Sequence, residues 1–280
     1  METGSLNEIL AESFPLPPEA AEQFRREGYA VVENLVADDE LGPIEAHFEE
    51  FLAGRVSGMG RDFCDMSGPY DRKFEDFELV NAVLPRVYRP ELRGNIFERR
   101  ALSVARQLLG DDATLDYDQF LTKKPGKPGA AFAWHQDLGY WPTGTPDTRT
   151  VTLSLALDDA DEENGCLAVV PGTHREAELR VHRPVQASGD GLRDGGHTLA
   201  IELAADDTPV LLPVRRGSVT LHDERIVHGS GGNLSQRLRR TCILAFRSRA
   251  CVEYERGIGF THSHNDEIAW ATHLEALAEG

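Results

Sequence analysis

AAFAWHQDLGYW, residues 130–141, sets a histidine and an aspartate one residue apart among aromatic neighbours. In a β-strand, residues i and i+2 point to the same face. His135 and Asp137 then present an imidazole and a carboxylate side by side, while Gln136 turns the other way. Taken alone, the pair has two readings: two thirds of a metal site, or a structural hydrogen-bonded pair.

The stretch belongs to a series of short β-type runs. TLDYDQFLTKK (114–124), RTVTLSLALDD (149–159), GCLAVVPG (165–172), PVLLPV (209–214), GSVTLH (217–222) and TCILAFRS (241–248) are separated by Gly, Pro, Asp and Asn clusters. Helices come earlier. One starts at Pro18 and is closed by Gly28. DDELGPIEAHFEEFLAGR (38–55) carries Leu41, Ile44, Phe48 and Phe51 at helical spacing. ELRGNIFERRALSVARQLLG (91–110) ends at Gly110. Residues 54–80 show no period and read as a long loop, and the polar, Gly-rich segment 172–208 reads as a functional lid or a disordered segment. Residues 251–280 read as a tail with a short helix, ATHLEALAEG, at its end. Helices followed by many short antiparallel strands predict an α+β fold built on a jelly roll or barrel. The expected layout is one domain over 1–280, with a helical part at 15–112 and a β core at 113–250.

Composition narrows the function. The formal net charge is −18, a field that repels polyphosphates and anionic lipid, so nucleic acid and membrane surfaces are excluded as partners. No apolar run is long enough to span a bilayer, and the N-terminal residues lack a basic n-region followed by an apolar h-region. Cys64, Cys166, Cys242 and Cys251 are scattered and form no CxxC pair. That argues against a disulfide scaffold or structural zinc and fits a reducing cytoplasm. The expected partner is a small molecule, bound by a monomer or a small homo-oligomer.

Two histidines and one carboxylate with open positions on one side form the facial triad of non-haem Fe(II) oxygenases. The second histidine has to come from a distant strand. Among His174, His182, His197, His222, His228, His262, His264 and His273, His228 stands out by context: it ends a β-like segment at a glycine-rich turn in VHGSGGNLSQRLRRTCILAF. Past the turn lie Arg237, Arg239 and Arg240. An arginine at the mouth of an apolar strand suits an anionic ligand, because its planar fork binds carboxylate bidentately. The cluster can equally be a solvated turn, and a slip of one residue would exchange Arg239 for Arg240. His222 is either a ligand or a support for one. His262 and His264, in FTHSHND, read as a tail loop rather than a second metal site.

EQFRREGYAVVENLV, WHQDLGYWP, NGCLAVVPGTH and HGSGGNLSQRLRR together resemble the phytanoyl-CoA dioxygenase family of Fe(II)- and 2-oxoglutarate-dependent oxygenases, in family order from about residue 20 to 250. The resemblance implies a double-stranded β-helix, the cupin-like jelly roll, with flanking N-terminal helices. It implies iron held by His135, Asp137 and His228, and 2-oxoglutarate held by Arg239, eleven residues past His228, with Ser230 assisting. Gln119 and Lys124 match positions where members often place co-substrate or pocket contacts. Leu153 departs from the family, some members having an aromatic residue there. Tyr140 and Trp141 are candidate substrate contacts, and Arg247 is a third because it shares the strand parity of Arg239.

Such a site binds 2-oxoglutarate through its keto oxygen and C1 carboxylate and takes O2 at the last open position. Oxidative decarboxylation then yields succinate and CO2 and drives hydrogen abstraction from a bound substrate. Related halogenases lack the carboxylate; Asp137 therefore points to hydroxylation, desaturation, epimerisation or cyclisation. The expected setting is tailoring of a natural product, as in antibiotic biosynthesis, or of another small metabolite. The alternatives are a cupin-like metal enzyme that does not use 2-oxoglutarate, and a non-catalytic jelly-roll binding protein.

Overall fold

The computed structural model describes residues 11–185 and 198–266. The expected helix at 271–280 and the middle of the expected lid lie outside the described residues.

The chain starts with α1 (Pro18–Glu27), which Pro18 opens and Gly28 closes at φ 83°, and turns directly into β1 (Tyr29–Val32). α2 (Gly42–Leu52) buries Ile44, Phe48 and Phe51 on one face. The short strands β2 (Phe63–Asp65) and β3 (Leu79–Val83) pair with each other and are followed by the single turn α3 (Pro85–Tyr88). α4 (Ile96–Leu109) is capped by Asn95, whose side chain accepts the Glu98 N–H at 3.0 Å. The remaining strands are β4 (Ala113–Lys123), β5 (Phe132–His135), β6 (Thr150–Ala156), β7 (Leu167–Val170), β8 (Arg183–Pro184), β9 (Leu199–Ala200), β10 (Val210–Leu212), β11 (Val219–His222), β12 (Val227–Ser230) and β13 (Arg239–Ser248). α5 (Arg249–Gly257) follows β13 without a break.

Among the described residues every strand pairing is antiparallel, and three sheets form. The large sheet has the order β1-β11-β6-β13-β4-β3-β2, and the smaller has the order β10-β7-β12-β5; β8 and β9 make a separate ribbon. The two main sheets are the walls of a jelly roll with helices on the outside, the α+β architecture expected.

Alternation sorts the two faces of the large sheet. On β6, Val151, Leu153 and Leu155 are fully buried in the same apolar cluster as Phe48 and Phe51 of α2 and Phe97, Ala101 and Val104 of α4. Phe120 of β4 joins them with its ring centroid 4.5 Å from that of Phe48. Each such aromatic or aliphatic side chain contributes about 1.5–3 kcal/mol by leaving water. The intervening residues Thr152 and Ser154, and Arg239, Thr241 and Ile243 on β13, line a cavity on the opposite face. Leu153 therefore packs against helices and not against the cavity, so its departure from the family pattern does not touch the site.

Three expectations change. Residues 54–80 are not a structureless loop. The Asp65 carboxylate accepts the N–H groups of Ser67, Glu78 and Leu79 at 2.9, 2.8 and 3.1 Å and an N–H of Arg72 at 2.7 Å, which ties β2 to β3. A three-residue strand is too short to show a period of two. The part at 15–112 is correspondingly not only helical, since β1, β2 and β3 extend the large sheet on both sides. The stretch after 250 opens as the helix α5, capped by Ser248, rather than as an irregular tail. Among the described residues, no helix is long and apolar enough to cross a membrane. All four cysteines are free and buried.

Candidate active site

β5 and β12 are neighbours in the smaller sheet, and their register sets His135 directly opposite His228. The two imidazoles share a face with ring centroids 4.2 Å apart. β5 ends at His135; Gln136 stays extended, and Asp137 opens a short 3-10 turn that runs to Tyr140. The i, i+2 geometry thus survives although the strand does not reach Asp137. Asp137 Oδ1 lies 3.3 Å from His135 Nε2 and 3.4 Å from His228 Nε2.

Hydrogen bonding defines the protonation of both rings. His135 Nδ1 is 2.7 Å from the Ala133 carbonyl and His228 Nδ1 is 3.0 Å from the Ile226 carbonyl. A carbonyl only accepts, so each Nδ1 carries a proton and each ring turns its Nε2 toward Asp137. Burial, then the neighbouring His228, lowers the His135 imidazole below its ordinary value, which favours the neutral ring. Burial alone would raise the Asp137 carboxyl. The neighbouring histidines, His228 foremost, outweigh it and hold the group well below the usual carboxylate range. With Nε2 deprotonated, the two imidazoles and the carboxylate oxygen converge as three donor atoms for one cation. The donor set fits a divalent iron ion held on one side.

A fourth side chain completes the arrangement. His222, buried at the end of β11, places Nε2 3.2 Å from Asp137 Oδ2. It occupies the outer carboxylate oxygen and leaves Oδ1 to face the two other histidines. That makes it a support for the carboxylate rather than a member of the converging set. His182 and His174 serve elsewhere, accepting the Gln136 N–H at 3.0 Å and contacting the Arg25 carbonyl at 3.3 Å.

The cavity beside the triad has a volume of about 140 Å³. Arg239 is buried in its wall, and its Nε has no hydrogen-bond partner. Arg240 instead pairs with Glu45, Glu49 and Asp158 on the outer face, and Arg237 pairs with Asp161 and Glu163. Among the described residues no carboxylate pairs with Arg239, and burial pushes its guanidinium down to about 10. A buried cation without a counter-ion is costly, and a ligand's carboxylate would relieve it.

Lys123 stands beside Arg239 in the β4–β13 register. It is fully buried, and its Nζ donates to Ser230 Oγ at 2.7 Å and to the Gly231 carbonyl. With a lone pair of Oγ so occupied, the Ser230 hydroxyl proton is free to donate into the cavity it lines. Gln119 also lines the cavity, and its Nε2 donates to Asn81 Oδ1. Lys124 does not line it: its ammonium lies 5.5 Å from the centroid of the Phe74 ring, on the other side of the strand. The lysine beside Arg239 and Ser230 is Lys123. The parity of β4 carried that signal, since Gln119 and Lys123 share a face and Lys124 does not.

Tyr140 and Trp141 both line the cavity, with Tyr140 edge-on to His135 at 5.5 Å. The Tyr140 hydroxyl accepts the Leu199 N–H at 2.8 Å. Arg247 has the inward parity expected but does not line the cavity. It is fully buried and paired with Glu255, with Glu224 at 3.8 Å, so its role is structural rather than a substrate contact. His262, His264 and Glu224 line the cavity and were not among the candidates for it. The HxH spacing of the two histidines was their only sequence signal. Asp116, Glu255 and His262 also converge, but the guanidiniums of Arg256, 2.5 Å from Asp116, and Arg247, on Glu255, already supply the positive charge there.

A jelly roll that gathers two histidines, an aspartate and a buried free arginine around one cavity is the architecture of a non-haem iron oxygenase. The chain belongs to the phytanoyl-CoA dioxygenase family, whose model matches residues 24–241. It is similar to the ectoine dioxygenase of Nocardia farcinica, at 28% identity over 80% of this chain and 76% of that one. Its structure is similar to that of EvdO2 from Micromonospora carbonacea var. aurantiaca, with a TM-score of 0.67 and 26% identity over 85% of this chain and 94% of that one. EvdO2 is also known in complex with 2-oxoglutarate. The carbocyclase SnoK from nogalamycin biosynthesis shares the fold, with a TM-score of 0.61 at 23% identity, covering 82% of this chain and 83% of SnoK. The protein is an Fe(II)- and 2-oxoglutarate-dependent dioxygenase, with O2 as its oxidant.

Proposed function

We propose that His135, Asp137 and His228 hold the iron, that Arg239 and Ser230 receive the distal carboxylate of 2-oxoglutarate, and that the enzyme oxidises a natural product or another small metabolite. The observation that carries this reading is the buried Arg239, without a carboxylate partner among the described residues, in the wall of the cavity beside the triad. A cupin-like enzyme that does not use 2-oxoglutarate has no need of such a residue. Bound iron with 2-oxoglutarate activates O2 for attack on a substrate C–H bond.

The chain's own groups position and exclude. The Ala133 and Ile226 carbonyls fix the ring orientation of the two histidines, and His222 fixes Asp137. Lys123 orients Ser230, and Gln119 is held by Asn81. Tyr140 and Trp141 form an aromatic wall on the substrate side that keeps the reacting carbon out of bulk water. The presence of Asp137 favours hydroxylation, desaturation, epimerisation or cyclisation over halogenation. A relative named for ectoine supports a small polar substrate. The reading extends to a single-domain enzyme, a monomer or small homo-oligomer, working in the cytoplasm, where its buried free cysteines stay reduced.

The test is an anaerobic titration of the metal-free protein with Fe(II) and then 2-oxoglutarate, followed by visible absorption. A charge-transfer band is expected only with both, absent in Asp137→Ala and weakened in Arg239→Gln. Iron binding without a band in the wild type would refute the 2-oxoglutarate assignment of this cavity and favour the cupin-like alternative.

A further inference from the structure

The strand that carries the first histidine of the triad stands at the end of its sheet. β5 pairs with β12 along one edge only. In an extended chain, the C=O of one residue and the N–H two residues on leave from the same edge. At the outer edge of β5 these groups are the Trp134 carbonyl and the Gln136 N–H. Their partners come from two stretches that flank β8 and β9. The Ile201 N–H donates to the Trp134 carbonyl at 2.8 Å, and His182 Nε2 accepts the Gln136 N–H at 3.0 Å. An imidazole thus stands where a further strand would offer a carbonyl.

The surroundings of His182 hold it in that place. Its Nδ1 is 2.8 Å from the Arg180 carbonyl, so Nδ1 donates, and Nε2 is left to accept. The ring lies against the turn that follows the HxD pair. A Cβ on Gly139 would come within 2.7 Å of His182 Cε1 and Nε2, so only glycine lets the ring approach. The Gln136 side chain ties the same segments together. Its Oε1 accepts the Arg180 N–H at 2.8 Å, and its Nε2 donates at 2.6 Å to the carbonyl of Arg225, three residues before His228. The Arg180 guanidinium anchors the stretch further by pairing with Glu176 and Asp207.

We propose that His182 is a positioning residue for the metal centre: by accepting the Gln136 N–H it fixes the backbone step between His135 and Asp137. The inference rests on the assignment of iron to His135, Asp137 and His228. The Gln136 N–H belongs to the peptide unit that joins this residue to His135. Gln136 is buried, so without an acceptor the N–H has to rotate to reach water. The rotation turns the end of β5 at His135 and displaces Asp137, the next residue along. Asp137 Oδ1 would then leave its place 3.3 Å from His135 Nε2 and 3.4 Å from His228 Nε2. His182 thus acts on the backbone between two ligands, whereas His222 acts on the Asp137 carboxylate itself.

The experiment is an anaerobic calorimetric titration of the whole metal-free chain with Fe(II), with urea unfolding of each metal-free variant alongside. His182→Phe keeps a ring and removes the acceptor; it should raise the Kd for Fe(II) about 10- to 100-fold. His182→Gln offers an amide oxygen at the reach of Nε2 and should restore the Kd to within about threefold of the wild type. A histidine with a merely structural role would lower the stability of His182→Phe and leave its Fe(II) affinity unchanged, and that result would overturn the proposal. Equal weakening in both variants would overturn it too. Nitrogen NMR of the isotope-labelled, metal-free wild type needs no variant to fold. It should show His182 protonated on Nδ1, with a coupling across the hydrogen bond from the Gln136 N–H to Nε2; a protonated Nε2 would overturn the proposal. A wild type that binds no Fe(II) would instead overturn the assignment of the triad, and the role of His182 with it.

Discussion

Replacing Arg239 by methionine separates ligand binding from folding, because the two respond in opposite directions. Methionine keeps the length and apolar stem of the side chain and removes only the charge and the fork. In the ligand-free protein the guanidinium is buried without a counter-ion among the described residues, and burial lowers it from its ordinary value to about 10. At 1.36 kcal/mol per unit, the fold carries a burden of about 3 kcal/mol in holding that charge at neutral pH. Lys123 shares the burden, since burial, then the charge of Arg239, depresses its ammonium well below the ordinary value. Arg239→Met is therefore expected to stabilise the ligand-free protein, by up to about 3 kcal/mol. The same change removes the partner of the distal carboxylate. Truncating one member of a buried charge pair costs about 2–5 kcal/mol, so the Kd for 2-oxoglutarate should rise by roughly 30-fold to several thousand-fold. Urea denaturation of the apo protein gives the first quantity, and calorimetric titration of the Fe(II) form gives the second. A variant that is less stable than the wild type, or that binds 2-oxoglutarate within about threefold of it, would refute the reasoning.

His222→Phe removes the contact to Asp137 Oδ2 and should weaken Fe(II) affinity about 10- to 100-fold while the protein stays folded, as metal titration and circular dichroism would show. Arg247→Met leaves Glu255 buried without the guanidinium paired with it and should cost about 3–5 kcal/mol in denaturant unfolding, with 2-oxoglutarate affinity unchanged. A rise in Kd instead would place Arg247 in the cavity. Because the folded His262 imidazole titrates near 9, above its ordinary 6.5, its charged form adds stability that is complete below about 6.5 and is lost as pH rises through about 9. The stability difference between wild type and His262→Gln should shrink from pH 6 to pH 10, contrary to what a purely steric role would give.

The jelly roll was legible because its long strands alternate. TVTLSLA shows hydroxyl residues inward and aliphatic residues outward, and β13 repeats the pattern with Thr241, Ile243 and Ala245 on the cavity side. The helices were legible from Pro18, Gly28 and Gly110, which occupy the ends that backbone geometry reserves for them. Where the reading failed, local signal was absent. β2 has three residues, and its pairing with β3 depends on how Asp65 collects N–H groups from residues up to fourteen positions away. α5 was missed because its cap, Ser248, sits inside the last strand's apolar run, so the helix starts where the strand ends.

In the site, one rule of parity accounts for what was found and what was not. On β13, Arg239 and Arg247 face inward and Arg240 faces outward, as alternation requires; yet parity says nothing of what waits at each inward position. Arg247 meets Glu255 and Glu224, contributed by α5 and by the turn after β11, and becomes structural. Arg239 meets no carboxylate among the described residues and stays available to a ligand. On β4 the same rule, applied from Gln119, turns Lys123 toward Ser230 and Lys124 toward Phe74. His262 lay beyond any such rule, because its ring reaches the cavity through a turn with positive φ after α5 and not along a strand. Local periodicity thus identifies which side chains face the cavity. Which of them remain unpaired, and so free to bind a ligand, depends on residues brought from elsewhere in the chain.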